Sequence, residues 1–344
     1  VHGGSLMLPE VRAAMDAASR QFVNLDELME AAGARIAELT GAEWGLVTCG
    51  SAAAVALATA ACVAGNDPVR ILHLPFTDGW TNRVIMVRNQ RFAYDQAIRM
   101  VGTQVIEVDS IAELDAALAE PVAMVAVLGT HESVSRVRLE DIVARTKPRG
   151  IPIMVDAASE HIERPSPWLV RGADLVIYSG GKFLRGPQTS GLLLGDKQLV
   201  QAAWRNAAPH QAFGRPMKVS KEDVAGIIAA LEHWFGTRDV AAEEARWRAD
   251  VTEMAGWIAA SGPKTEVLEP EDVVRVPRLR VRWDAAQVGL DGAGLRQVLM
   301  DNEPRIMLDD MSATANSVEI DPFQLQPGEA AAVGKAVAAA LGAA

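Results

Sequence analysis

The chain has 344 residues, 49% of them hydrophobic and 22% charged, which is material for one large and one smaller domain around buried cores. Its 33 basic against 44 acidic residues leave a net charge of -11 with no basic stripe, and this argues against a nucleic-acid partner. Two cysteines, Cys49 and Cys62, are too few for a disulfide framework or a zinc site, and the apolar run Ala52 to Ala64 is short of the ~20 residues that cross a bilayer. In chain order, "GLVTCG" (45–50) reads as a strand running into the Ala-rich helix "SAAAVALATAACVAG". Further strands are predicted at 69–75, 83–88, 103–108, 122–129, 151–157, 173–179 and 190–195. Helices fall between several of them, as in "SIAELDAALAE" and in "RLEDIVARTKPRG", which Pro148 and Gly150 stop. Continuous apolar strands alternating with helices predict a mostly parallel sheet covered on both faces. The short loop between 173–179 and 190–195 allows one antiparallel strand there.

After residue 218 the pattern changes. "SKEDVAGIIAALEHWFG", with Ser220 as a candidate N-cap, and "VAAEEARWRADVTEMAGWIAAS" read as long amphipathic helices. A smaller unit follows, with strands expected at 278–284, 305–309 and 317–322 and helices over "GAGLRQVLMDNE" and "PGEAAAVGKAVAAAL". The expected division is an N-terminal arm (1–20), a large α/β domain (21–250) and a small C-terminal α+β domain (251–344). Reduced cysteines and the lack of a charged-then-apolar leader point to a cytoplasmic protein, and the start on Val1 points to residues upstream.

One lysine stands out. The chain has seven lysines against twenty-six arginines, and none precedes residue 147. Lys182 lies in "LVIYSGGKFLRGPQTSGLLLG" (175–195), just past an apolar strand and two glycines. A P-loop is excluded because position 176 is Val and Phe183 replaces the magnesium-binding Ser or Thr. Ser179-x-x-Lys182 lacks the S-D-N and K-T-G partners of penicillin-binding enzymes, Lys264-Thr265 being followed by Glu. "GLDGAG" is not a dinucleotide fingerprint, and the six histidines show no metal spacing.

A Schiff-base lysine is the surviving reading, since such an amine must be neutral and positioned. Pyridoxal phosphate also needs an acidic or basic partner for its pyridine nitrogen and a cradle for its phosphate. Asp156 ends the apolar strand "IPIMV", where a carboxylate is costly without a partner and where parallel sheets bind ligands. The turn Gly50-Ser51-Ala52 opens a helix whose first amides suit an anion, and Ser179 could add a hydroxyl. Gly180 and Gly181 would let the backbone approach the cofactor. Each residue alone has a plain structural reading: a helix cap for Asp156, a packed helix start for "GSAAAV", a loop lysine for Lys182. Their order, each at a strand's carboxyl end, favours a cofactor site.

On "VDAASE", "GADLVIYSGGKFLRGPQTSGLLLG", "GRPMKVSKED" and "GGSLMLPEVRAAM", the chain resembles the fold-type-I pyridoxal-phosphate enzymes, of aspartate aminotransferase-like fold. Within them it is similar to the branch of selenocysteine synthase (L-seryl-tRNA selenium transferase) and D-glucosaminate-6-phosphate ammonia-lyase. The resemblance implies that Lys182 binds the cofactor covalently, that Asp156 faces the pyridine nitrogen, and that Gly50, Ser51, Ala52 and Ser179 serve the phosphate. Gln90 falls where the family places a residue over the ring, often His. The implied reaction is α,β-elimination from a small amino acid or amino-sugar acid, with Lys182 as base and with ammonia and a 2-keto acid as products. Aldol cleavage, racemisation, transamination and selenium transfer are alternatives, as is a binding protein without catalysis; acidity fits poorly with a tRNA substrate. Arg91, Arg185, Arg215 and Arg305 are candidates for a substrate carboxylate, and Gly3, Gly4 and Ser5 for the site lining. His131 and His161 are candidate acid-base groups for which a structural role is the better reading. No metal is implied, and a homodimer or higher homo-oligomer is.

Overall fold

The computed structural model describes residues 3–270, 276–310 and 312–342. These form two compact units, Val1–Arg238 and Asp239–Ala344. The first holds a seven-stranded sheet of order β1-β7-β6-β5-β4-β2-β3. Its strands are β1 (Trp44–Thr48), β2 (Arg83–Val87), β3 (Gln104–Val108), β4 (Met124–Leu128), β5 (Ile153–Asp156), β6 (Leu175–Ser179) and β7 (Gly191–Gly195). All neighbours are parallel except β7, which runs against both β1 and β6. Six strands therefore end at the same edge, where β7 begins. The expected antiparallel strand is β7, and it sits inside the sheet rather than at its border.

The central strands read as unbroken apolar runs because helices cover both faces: every residue of β4, β5 and β7 is buried. The helix Ser51–Ala64 is apolar on all sides for the same reason, with eleven of its residues buried. The helix Pro9–Ser19, within the expected arm, lies on the helix Lys221–Glu232. The approach is close enough that a Cβ on Gly226 would meet Met15 Cγ at 2.9 Å. Ser220 caps the second helix through the amide of Asp223.

Two expected strands are absent. Residues 69–75 fall instead in and after a helix, Pro68–His73, because Asp67 Oδ1 accepts from the amides of Val69 and Arg70 while Pro68 supplies a ready first turn. Residues 305–309 form no strand and join no ladder. The second unit has a three-stranded antiparallel sheet, β10-β9-β8, made of β8 (Lys264–Leu268), β9 (Arg278–Arg282) and β10 (Ser317–Ile320). β8 has no apolar alternation because it is an edge strand without a single buried residue. On β9, Leu279 and Val281 point into the core while Arg280 pairs with Glu319 at 2.7 Å.

The division between units falls ahead of the helix Val240–Ala259, not near residue 250. Val251, Met254 and Ile258 on that helix are fully buried in one cluster with Leu279, Val281, Val318 and Val337. Burial of this face commits the whole helix to the second unit.

Candidate active site

The shared strand edge gathers the groups singled out by sequence. β7 sets the register: Gly191 lies opposite Thr48 on one side and Ser179 on the other. Directly beyond Thr48 the chain turns at Gly50, whose φ of 89° favours glycine, and enters the helix Ser51–Ala64. No side chain caps this helix start, so the first-turn amides that lack intrahelical acceptors face outward with the positive end of the helix. The turn rests on β7 so tightly that a Cβ on Gly191 would stand 2.4 Å from Gly50 C and 2.5 Å from Ser51 N. Gly191 was not singled out from sequence; a glycine opening an apolar strand is the only signal it carries.

Asp156 ends β5, paired with Leu128 of β4 and Ile177 of β6. Its Oδ1 accepts from the amide of Ala158 at 3.0 Å, which folds residues 156–160 into a tight turn closed by the amide of Glu160 on the carbonyl of Ala157. That turn brings Ser159 to Lys182, whose Nζ donates to Ser159 Oγ at 2.8 Å. Burial raises the Asp156 carboxyl above its ordinary range, against the pull of the Ala158 amide and Lys182. Burial likewise lowers the Lys182 ammonium, against the opposing charge of Asp156. The lysine remains open to solvent on one side. Ser159, missed from sequence, is a hydroxyl three positions past a strand-ending Asp.

The loop around Lys182 is built by its own backbone. Gly180 donates to the Ser190 carbonyl, Gly186 to that of Gly180, and Arg185, with a φ of 53°, to that of Lys182. Gly180 and Gly181 are required by this fold itself: a Cβ would lie 2.0 Å from Ser190 Oγ at Gly180 and 2.5 Å from Gln188 Cα at Gly181. The N-terminal segment straps the loop. The amide of Ser5 donates to Gly181 O at 2.9 Å, its hydroxyl to Lys182 O at 2.8 Å, and Gly4 packs so closely on Gln188 that a Cβ would lie 2.5 Å from its Cγ.

The remaining candidates are each exposed or already engaged. Gln90 is fully buried, its amide nitrogen on Ser135 Oγ (2.8 Å) and its oxygen accepting from the amide of Leu128 (2.9 Å). It ties the ends of β2 and β4 together. Arg91 pairs with Asp95 and Glu107. Arg185 donates to Leu6 O at 3.1 Å, Arg215 is exposed, and Arg305 is an exposed residue of the second unit. His131 is exposed, whereas His161 is buried with its ring 4.1 Å from that of Phe183 and 5.4 Å from that of Trp234. Among the described residues no cluster fits a metal ion, and no helix is long and apolar enough to cross a membrane.

Pyridoxal phosphate fits these groups: an uncapped helix start for a phosphate, a buried carboxylate for a ring nitrogen, and an amine of lowered pKa on the adjoining loop. The fold and this donor set define a fold-type-I pyridoxal-phosphate enzyme. No family model matches the chain. It is 31% identical over 343 residues to D-glucosaminate-6-phosphate ammonia lyase of Salmonella typhimurium, covering 96% of this chain and 90% of that one. It is 32% identical to 5'-C-glycyluridine monooxygenase-decarboxylase of a Streptomyces species, covering 94% and 83%. L-seryl-tRNA(Sec) selenium transferase of Nitratidesulfovibrio vulgaris matches at 27% over 67% of this chain and 52% of its own. Among solved structures, one of D-glucosaminate-6-phosphate ammonia-lyase superposes with a TM-score of 0.85 at 30% identity, covering 98% and 92%. Serine palmitoyltransferase of Sphingomonas wittichii shares the fold, with a TM-score of 0.60 at 15% identity over 98% of this chain and 85% of that one. The chain belongs to the pyridoxal-phosphate enzyme family of D-glucosaminate-6-phosphate ammonia lyase.

Proposed function

We propose that the protein is an ammonia-lyase acting by α,β-elimination on a small amino acid or amino-sugar acid. The observation that supports this reading is the turn 156–160, a short segment that carries both the buried Asp156 carboxyl and the Ser159 hydroxyl that accepts from Lys182. When bound, pyridoxal phosphate supplies an aldehyde for amines and a protonated ring that acidifies the substrate's α-carbon. In this reading Asp156 holds the proton at the ring nitrogen, and the amides of Ser51 and Ala52 with the Ser179 hydroxyl hold the phosphate. Lys182, a freer base because burial disfavours its charge, removes the α-proton. The β-hydroxyl then leaves as water, and water added at C2 releases ammonia, so each substrate gives one 2-keto acid and one ammonia. Arg185, Arg215, Gly4 and Ser5 remain proposed substrate contacts. Arg91 is a weaker one, since Asp95 and Glu107 already hold it.

We also propose a cytoplasmic homodimer. Val69, Leu72 and Phe76, each about 70% exposed, are large apolar side chains close together in sequence that a second copy would cover.

The test is a substrate panel of serine, threonine and amino-sugar acids, D-glucosaminate 6-phosphate among them. Ammonia and 2-keto acid are expected in equal amounts, and from none of the panel with Lys182→Ala. Glycine plus an aldehyde would make the protein an aldolase, and loss of optical activity alone a racemase. Keto acid that forms only with an amino acceptor would make it an aminotransferase. Oxygen uptake with carbon dioxide release would place it with the monooxygenase-decarboxylase relative. A protein that takes up no pyridoxal phosphate overturns the enzyme reading altogether.

A further inference from the structure

Glu160 closes the turn that Asp156 opens, and the reaction as described leaves it without a task. It is buried, 8% exposed. Its Oε2 accepts from Trp168 Nε1 at 2.7 Å, while Oε1 is enclosed with no partner. The enclosure is tight, because a Cβ on Gly129 at the end of β4 would stand 2.1 Å from Oε1. A neutral glutamine would fill this volume and keep the Trp168 bond. A carboxyl there is an unexplained cost for a purely structural residue.

The surroundings decide its charge. From β5 it faces Asp156, from its own loop Glu163, and from the segment after the helix Pro167–Val170 it faces Arg171. From β6 comes Tyr178, whose hydroxyl shares a hydrogen bond with Ser166 at 3.0 Å. Arg171 is the neighbouring cation, but it is already engaged by Glu132 at 2.9 Å and Glu140 at 2.7 Å. Burial first, then Asp156 and Glu163, push the Glu160 carboxyl up to about 7, against the Trp168 bond and Arg171. It therefore changes charge near neutrality, inside the turn that carries Asp156.

We propose that Glu160 is a positioning residue that acts through Asp156: its charge sets how tightly the cofactor's pyridine nitrogen and the imine at Lys182 keep their protons. This rests on the cofactor reading above. The sign follows from Coulomb's law: an anionic Glu160 adds negative potential at the ring and favours both protonated groups, and a neutral one withdraws that support.

The test uses the full chain loaded with pyridoxal phosphate. Borohydride bleaching of its visible band, absent in Lys182→Ala, first establishes the cofactor reading on its own. The band is then followed against pH in the wild type, Glu160→Gln, Glu160→Asp and Trp168→Phe. Glu160→Gln removes the charge and keeps the Trp168 bond, so its midpoint falls by about half to one pH unit. Glu160→Asp recovers most of that shift. Trp168→Phe removes a bond that favours the anion, so Glu160 stays neutral to higher pH and the midpoint falls in the same direction. A Glu160→Gln protein that binds cofactor, melts as the wild type does and keeps its midpoint overturns the proposal. So does a wild-type band that does not change with pH. If Glu160→Gln fails to fold, an unchanged midpoint in Trp168→Phe overturns it.

Discussion

Replacing Gly191 by alanine tests the proposed phosphate cradle at its base. The new Cβ would lie 2.4 Å from Gly50 C and 2.5 Å from Ser51 N, about 1 Å inside the 3.4 Å of ordinary contact. One side must retreat. β7 cannot easily do so, because it is paired along its whole length with β1 and with β6. The turn at Gly50 therefore moves, taking with it the first amides of the helix Ser51–Ala64. Overpacking of this kind costs about 1–3 kcal/mol of stability. Amides displaced by about 1 Å lose most of their alignment on an anion, so affinity for pyridoxal phosphate should fall roughly 10- to 100-fold. Absorbance titration of the cofactor-free variant with pyridoxal phosphate, alongside thermal unfolding, measures both effects. A Gly191→Ala protein that binds the cofactor and unfolds as the wild type does would refute the placement of the cradle.

Ser159→Ala removes the acceptor for the Lys182 amine and should slow borohydride-trappable attachment of the cofactor about 2- to 10-fold with little change in melting temperature, as a stopped-flow absorbance trace would show. Asp156→Asn leaves the Ala158 amide with an acceptor but removes the charge, so turnover on any active substrate should drop by at least ~100-fold while the protein stays folded, checked by circular dichroism and steady-state assay. Glu132 is 2% exposed; burial alone would raise its carboxyl, but Arg138, the Leu139 amide and Arg171 hold it below the usual range. A depressed carboxyl stabilises the fold above its unfolded value near ~4.3 and loses that contribution as pH falls through its folded value. Glu132→Gln should therefore flatten the acid limb of a stability-versus-pH curve from urea unfolding, besides costing about 1–3 kcal/mol at neutral pH by weakening the acceptor of two partly exposed arginines.

Much of the large unit was readable as sequence because its signals are local. Continuous apolar runs identify β4, β5 and β7, and the short loop before 190 identifies the antiparallel return. The failures were also local in origin. At 69–75 an Asp-Pro helix start was outweighed by an apolar run, only one residue of which, Ile71, is buried within the resulting helix. β8 carries no alternation because neither of its faces is buried, so nothing in its residues separates it from a loop. The unit boundary was misplaced because the apolar stripe of Val240–Ala259 shows that the helix packs, not against which core.

Residue type and order alone pointed to the chemistry proposed for this protein: a lysine after two glycines, a carboxylate at the end of an apolar strand, and a glycine turn into a helix. These signals survive in one dimension because each is a property of a few neighbouring residues and of backbone they impose. Only the tertiary structure decided how the groups serve each other. It closed Gly180 and Gly181 onto their own loop, locked Gln90 between two strand ends, and set Arg91 among acids. It also laid Ser5 on the lysine loop, set Ser159 against Lys182 and closed the turn from Asp156 to Glu160. Such contacts join residues up to 177 positions apart, and packing density, which no local pattern encodes, selects them.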